Sequence, residues 1–187
     1  MAERASRAWR IRPLGASDRG QVDAFALRHW GSLVMVSRGV VHRLRDLHGF
    51  VAVSADEWLG LVTYQCQGRR MEVVSLDSSR PGQGIGSALL ARLEKAAAQE
   101  GCHVIWLITT NDNLPALSFY LRRGYLLVAT HRGAVNRARR LKPEIPRLGI
   151  GGVPIQDELE LAKELAPTRS GRRGNAPSPP PDAERPA

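Results

Sequence analysis

An apolar run that breaks into a glycine loop and re-forms as a helix constrains this chain more than anything else in it. Val73, Val74 and Leu76 read as a buried strand, and Ser78-Ser79-Arg80-Pro81-Gly82-Gln83-Gly84-Ile85-Gly86-Ser87 reads as a loop running into a helix start. From Gly84 to Glu100, Ile85, Leu89, Leu93 and Ala96 recur at helical spacing, with Arg92, Lys95 and Gln99 off that stripe. A strand, a glycine turn and a helix start placed together present unpaired backbone N–H groups and the positive end of a dipole, which is a phosphate-binding arrangement. Gly82, Gly84 and Gly86 allow positive φ and let an anion approach with no Cβ in between. One exposed helix-end contact is worth about 0.3–1 kcal/mol, so several converging amides are needed to fix a diphosphate.

Spacing separates the phosphate-binding families. A dinucleotide fingerprint places Gly-x-Gly-x-x-Gly directly after the strand with an acid about 20 residues on, and a nucleoside triphosphate loop ends in Gly-Lys-Ser/Thr. This loop reads Gly-x-Gly-x-Gly, begins several residues after Leu76, and has neither feature. A second block lies downstream: Asn113-Leu114-Pro115-Ala116-Leu117-Ser118-Phe119-Tyr120-Leu121-Arg122-Arg123-Gly124-Tyr125. The two blocks resemble motifs A and B of the GNAT superfamily of N-acetyltransferases. Motif A has the pattern Arg/Gln-x-x-Gly-x-Gly/Ala after a strand; Gly84 and Gly86 match it, while Pro81 stands at the Arg/Gln position with Arg80 one place earlier. Motif B has the pattern Asn-x-x-Ala-x-x-Phe-Tyr-x-x-x-Gly-Phe/Tyr, and every marked position is occupied. They fall in the family's order, separated by one helix and one strand.

The resemblance implies an α/β fold of GNAT type, with a mixed, mostly antiparallel central sheet flanked by helices and, here, a C-terminal helical extension. The chain is then expected to divide into an acetyltransferase domain (residues 1–130), an extension packed on it (131–168) and, from its Ser, Arg, Gly and proline-run composition, a disordered basic, proline-rich tail (169–187). It implies acetyl-CoA as cosubstrate, no metal, and transfer to a primary amine by direct attack in a ternary complex. Val74 and Leu76 would offer backbone groups to the pantetheine arm, and Gly82, Gln83, Gly84, Ile85, Gly86 and Ser87 would hold the diphosphate. Asn113 would hydrogen-bond the cofactor near the arm or cap the helix it begins, and the position fits both roles.

Tyr120 matches the tyrosine that the family often uses as general acid beside the thioester sulfur, against the bland reading of a core aromatic beside Phe119. A reference pKa of about 10 suits donation to a leaving thiolate. Glu72, at the start of the cofactor strand, is the base candidate, against a strand-end carboxylate facing solvent or pairing with Arg70; His42, His48 and Asp46 are further candidates. An amine with a pKa near 10.4 leaves about one molecule in 10³ nucleophilic at pH 7, a deficit of about 4–5 kcal/mol. Positioning supplies roughly 7–11 kcal/mol, so a weak or water-relayed base suffices.

Composition bounds the rest. The 187 residues are 43% hydrophobic, enough for one ordinary core and too little for two. The formal charge is +9, nearly all of its cation arginine, since the lysines are Lys95, Lys142 and Lys163. A field of that sign favours CoA phosphates, acidic substrates and nucleic acid alike, although a generally basic surface plus a charged tail accounts for most of it. Cys66 and Cys102 give no framework of staples and no metal-ligand spacing, and read as reduced thiols. Met1 to Pro13 has no apolar h-region and no apolar run is long enough to cross a bilayer, so a cytoplasmic protein without membrane or specific nucleic-acid partners is expected. A small-molecule or peptide amine is the expected partner; a homodimer would follow family habit.

In chain order, Trp9 to Pro13 reads as an edge strand, and a helix capped by Ser17 or Asp18 runs to about Arg28. Residues 29–49, with Trp30, Met35, Arg38 and His42, resist assignment; in the family that stretch lines the acceptor side. Phe50 to Val53 and Leu59 to Tyr64 read as strands of an antiparallel meander, His103 to Ile108 as a buried parallel-type strand, and Tyr125 to Val128 as another strand. Ala134 to Leu141 reads as a basic helix, and Gln156 to Leu165, with Leu159, Leu161 and Leu165, as a short amphipathic helix. Beside the enzyme stand two competing readings: a catalytically weak acyl-CoA-binding regulatory module, and a nucleic-acid binder, which lacks any recognition motif.

Overall fold

Among the described residues, alternating and continuous apolar runs build a seven-stranded sheet whose strands lie in the order β1 (Arg10–Pro13), β4 (His48–Ser54), β5 (Glu57–Gln67), β6 (Arg70–Ser78), β7 (Val104–Thr110), β9 (Glu158–Glu164) and β8 (Leu126–His131). The computed structural model describes residues 9–55 and 57–166, so Asp56, the segment before Trp9 and the expected tail from residue 169 lie outside the described residues. β1 (Arg10–Pro13) pairs antiparallel with β4 (His48–Ser54) at the sheet edge, where Pro13 has no ladder bond to lose on its outer side. β4, β5 (Glu57–Gln67) and β6 (Arg70–Ser78) form the antiparallel meander. β6 then pairs in parallel with β7 (Val104–Thr110) across a connection made by the glycine loop and α2 (Ile85–Gln99).

α2 buries Ile85, Leu89, Leu90, Leu93, Ala96 and Ala97 on one face. That face belongs to the main core, with Phe50, Val62, Met71, Val73 and Ile105. Each fully buried aliphatic side chain contributes about 1.5–3 kcal/mol of transfer free energy, which fixes the helix, and the loop before it, onto the sheet. α1 (Arg19–Trp30) buries Val22, Phe25 and Ala26 in a second cluster with Leu44 and Leu61. Asp18 occupies its N-cap position, but the carboxylate caps no helix amide. It accepts both guanidinium Nη atoms of Arg12, at 2.6 and 2.8 Å, and the Gly15 amide at 2.7 Å. Residues 29–49 contain a hairpin, β2 (Val34–Ser37) and β3 (Val40–Arg43), that forms its own two-stranded sheet.

After α3 (Leu114–Leu121) and β8 (Leu126–His131), α4 covers only Ala134–Ala138, shorter than the sequence suggests. The expected C-terminal helix is not formed. Glu158–Glu164 is instead a strand, β9, inserted antiparallel between β7 and β8, with Leu161 opposite both Leu107 and Leu127. Its Glu-Leu-Glu-Leu-Ala-Lys-Glu run consists of good helix formers, but it also alternates with period two, and the open edge of β7 supplies the pairing that decides between them. No helix among the described residues is long and apolar enough to cross a membrane.

Candidate active site

The sheet splits at its centre. β6 and β7 pair from Arg70↔Val104 to Val73↔Leu107 and no further, although β6 continues to Ser78 and β7 to Thr110. On the other side of β6, Thr63 pairs with Ser75 while Tyr64 pairs with Val73, so Val74 is the extra residue of a bulge. A bulge bends its strand and re-aims the backbone around it. Here it falls where the parallel ladder stops, and β6 leaves β7 with its inner edge open.

Two cavities meet in that gap. One, of about 320 Å³, lies among Trp30, Met35, β6 from Glu72 to Leu76, the end of β7, Lys142 and Glu158. The other, of about 500 Å³, lies along the glycine loop, from Gly82 to Ser87, and the α3 face. Leu76, Ala116 and Tyr120 line both.

The loop cavity has the geometry of an anion cradle. Gly82 and Gly84 have φ of +79° and +77°, in the left-handed region, and a Cβ built at either would meet nothing within 4 Å. Gly86 departs from the sequence reading: its φ is not positive, and it serves by lacking a side chain beside Phe119, whose ring lies 3.8 Å from where a Cβ would stand. The first intrahelical bond of α2 runs from the Ala88 amide to the Gly84 carbonyl. The amides of Ile85, Gly86 and Ser87 therefore precede it, at the positive end of the helix dipole. Gln83 does not face the cavity; its amide closes a turn on the Arg80 carbonyl at 3.5 Å.

Arginines complete the rim. Arg80 lines the cavity and pairs with Glu57 at 2.7 Å. Arg123 stacks on Phe119 with its Cζ 3.6 Å from the ring centroid, donates to the Phe119 carbonyl at 2.7 Å, and donates to the Ser87 hydroxyl. Sequence reasoning passed over Arg122 and Arg123 because they occupy unspecified positions of the second motif; the signal was a pair of cations two and three residues after the tyrosine. This cradle of open amides and guanidinium groups fits a diphosphate.

Tyr120 comes from the last turn of α3, where Pro115 near the start and Asn113 at the N-cap fix the helix; the Asn113 side chain accepts the Ala116 amide at 3.2 Å. Asn113 lines the smaller cavity and not the loop cavity. Burial raises the Tyr120 hydroxyl above its ordinary pKa, and the nearby Arg123 charge only partly offsets this. The phenol therefore keeps its proton throughout the neutral range.

Glu72 neither faces solvent nor pairs with Arg70, which lies 3.7 Å from Glu160 instead. It is 4% exposed; one carboxylate oxygen accepts the Ser37 hydroxyl at 2.6 Å and the other accepts the Gln65 amide at 2.8 Å. His42 Nε2 lies 4.0 Å away, buried and without a hydrogen-bond partner. His48 and Asp46 line neither cavity. Ser37, His42 and Gln65 come from β2, β3 and β5, so only the fold assembles them around Glu72. A second carboxylate, Glu158, shares the smaller cavity, where burial raises its pKa despite the Arg38 amide it accepts at 3.2 Å. Lys142, lowered by burial, donates to the Val34 carbonyl at 2.8 Å and anchors residues after α4 to β2.

The model of the acetyltransferase (GNAT) family matches residues 8–125, more than half of the chain. The chain belongs to the GNAT family. It is therefore an acyltransferase that depends on acetyl-CoA. Uncharacterized protein YdhI of Bacillus subtilis (strain 168) is 44% identical over 142 residues, which are 75% of this chain and 89% of that protein. The streptothricin acetyltransferase of Streptomyces lavendulae is 34% identical over 80 residues, 43% of this chain and 39% of that enzyme. Among solved structures, an IAA acetyltransferase from Bacillus cereus ATCC 14579 superposes with a TM-score of 0.68 at 17% identity, covering 84% of this chain and 99% of that one.

Proposed function

We propose that this GNAT protein acetylates a primary amine of a small cationic acceptor by direct attack within a ternary complex. The observation that carries this reading is the break between β6 and β7 after Val73, flanked by a cradle on one side and a carboxylate-bearing cavity on the other. When bound, acetyl-CoA supplies an activated acetyl thioester. The open edge of β6 offers Val74 and Leu76 backbone groups to an extended arm, and the amides from Ile85 to Ser87 with Arg123 hold the diphosphate end. Tyr120, buried where the cavities meet, holds a proton ready for the leaving sulfur. Glu72, held by two neutral donors, accepts a proton from the incoming ammonium.

The acceptor class follows from charge. Glu72 and Glu158 line the smaller cavity, and among the described residues Lys142 is its one lining cation. An ammonium-bearing acceptor is favoured there over a neutral arylamine. The partial likeness to a streptothricin acetyltransferase puts streptothricin-type antibiotics among the acceptors to test. The test is release of free CoA thiol from acetyl-CoA in the presence of streptothricin-type antibiotics, diamines and an N-terminal peptide, each run with wild type and Glu72→Gln. Thiol release that depends on a cationic amine and falls at least tenfold in Glu72→Gln is expected. Tight acetyl-CoA binding with no amine-dependent release would replace the enzyme with a binding module.

A further inference from the structure

Neither cysteine lines either cavity, yet the fold joins them. Cys66 closes β5 and Cys102 follows the C-terminus of α2, and their Sγ atoms lie 3.1 Å apart. We propose that Cys66 and Cys102 form an oxidative modification site in which hydrogen peroxide converts the thiol pair to an intramolecular disulfide.

Three features support this. The sulfurs are asymmetric: Cys66 is exposed and Cys102 is 4% exposed. Both backbones are pinned, since Cys66 lies in register with Met71 on β6 and the Cys102 amide donates to the Ala97 carbonyl at 2.9 Å. The separation also favours a disulfide over a metal. Glu100 completes a cluster of three candidate ligands with the two sulfurs. A tetrahedral ion with metal–sulfur bonds of about 2.3 Å would hold its sulfurs roughly 3.8 Å apart. A disulfide needs about 2.05 Å, which the observed pair reaches by closing about 1 Å.

The chemistry divides between the residues. The Cys66 thiolate attacks the peroxide, the O–O bond breaks, and hydroxide leaves and is protonated to water, giving Cys66 sulfenic acid. The Cys102 sulfur then attacks the sulfenic sulfur; its proton leaves with the sulfenic hydroxyl as a second water. Two thiols are oxidised by two electrons and one peroxide is reduced to two waters. Burial holds the Cys102 thiol up at about 12, beside Cys66 and Glu100, so it resolves and does not initiate. The closed loop contains β6, the glycine loop and α2, so the bond ties the outer end of the cofactor-holding unit to itself.

The test treats the full reduced chain with hydrogen peroxide. Expected are loss of both maleimide-reactive thiols, a mass lower by two hydrogens, a Cys66–Cys102 peptide in the map, and a Tm higher by roughly ten degrees. In Cys102→Ala, dimedone captures sulfenic acid at Cys66; in Cys66→Ser, Cys102 survives unmodified and acetyl transfer is unchanged. Cys66→Ser alters an exposed position, so the second arm holds even where Cys102→Ala folds poorly. Retention of both thiols, overoxidation of Cys66 in the wild type, or disulfides only between copies would overturn the proposal. Protection of both thiols by added zinc, with a matching rise in Tm, would reassign the cluster to a metal.

Discussion

Tyr120 carries two expectations of different kinds. Replacing it with phenylalanine removes one hydroxyl from a packed site, so kcat should fall by roughly 10²–10⁴ while acetyl-CoA affinity changes little, as steady-state kinetics and calorimetry would read. An unchanged kcat on a verified acceptor would leave it a core aromatic beside Phe119 and Tyr125, against which its ring packs edge-on. The same burial has a thermodynamic consequence. Tyr120 and Tyr125 are both raised by burial, so the unfolded chain releases these protons first as pH climbs past about 10. The stability they contribute is complete below that pH and is lost above it. Thermal melts from pH 8.5 to 11 should show Tm falling with pH, and Tyr125→Phe, which also loses a 3.2 Å bond to Glu94, should shallow the slope. The sequence showed Tyr120, Glu72 and the glycines because each sits in a motif or beside one. It hid Ser37 and Gln65, and gave His42 only as one of several base candidates, because nothing local marks a residue that reaches Glu72 across a sheet.

The elements were legible where period and punctuation agreed. β4, β5, β6, β7 and α2 follow their apolar patterns to within a few residues, and the order of the meander and the parallel crossover came with them. β9 was misread because helix propensity and strand alternation coincide in one run, and the neighbour that selects the strand lies some fifty residues upstream in β7. Its burial makes a sharp prediction. Leu161 is fully buried between β7 and β8, so Leu161→Ala should cost about 2–5 kcal/mol in urea unfolding, whereas a helix on the surface would lose far less at that position. The β2–β3 hairpin was illegible for a different reason: its strands are short, half-exposed and joined through Arg38 and Gly39, with little alternation to read.

Charge acts across the full chain. A formal +9 surrounds a site whose rim includes Arg80, Arg122 and Arg123, while the smaller cavity holds Glu72 and Glu158. On the proposed reading, cosubstrate and acceptor therefore meet fields of opposite sign in two cavities that join at Leu76, Ala116 and Tyr120. Raising ionic strength from about 0.05 to 0.5 M shortens the screening length from roughly 14 to 4 Å. The KM for acetyl-CoA should rise severalfold with a much smaller change in kcat; equal sensitivity of both would place the salt effect in the chemical step. The break between β6 and β7 reaches further than either field. Because it is made of main chain, with a bulge at Val74 and β9 zipped along the far edge of β7, side-chain replacement relines it without closing it. On the proposed reading, Met35 and Ile145 are thus replaceable furniture around a permanent doorway, and acceptor choice can drift by single substitutions there while the seat of the thioester stays where the backbone puts it.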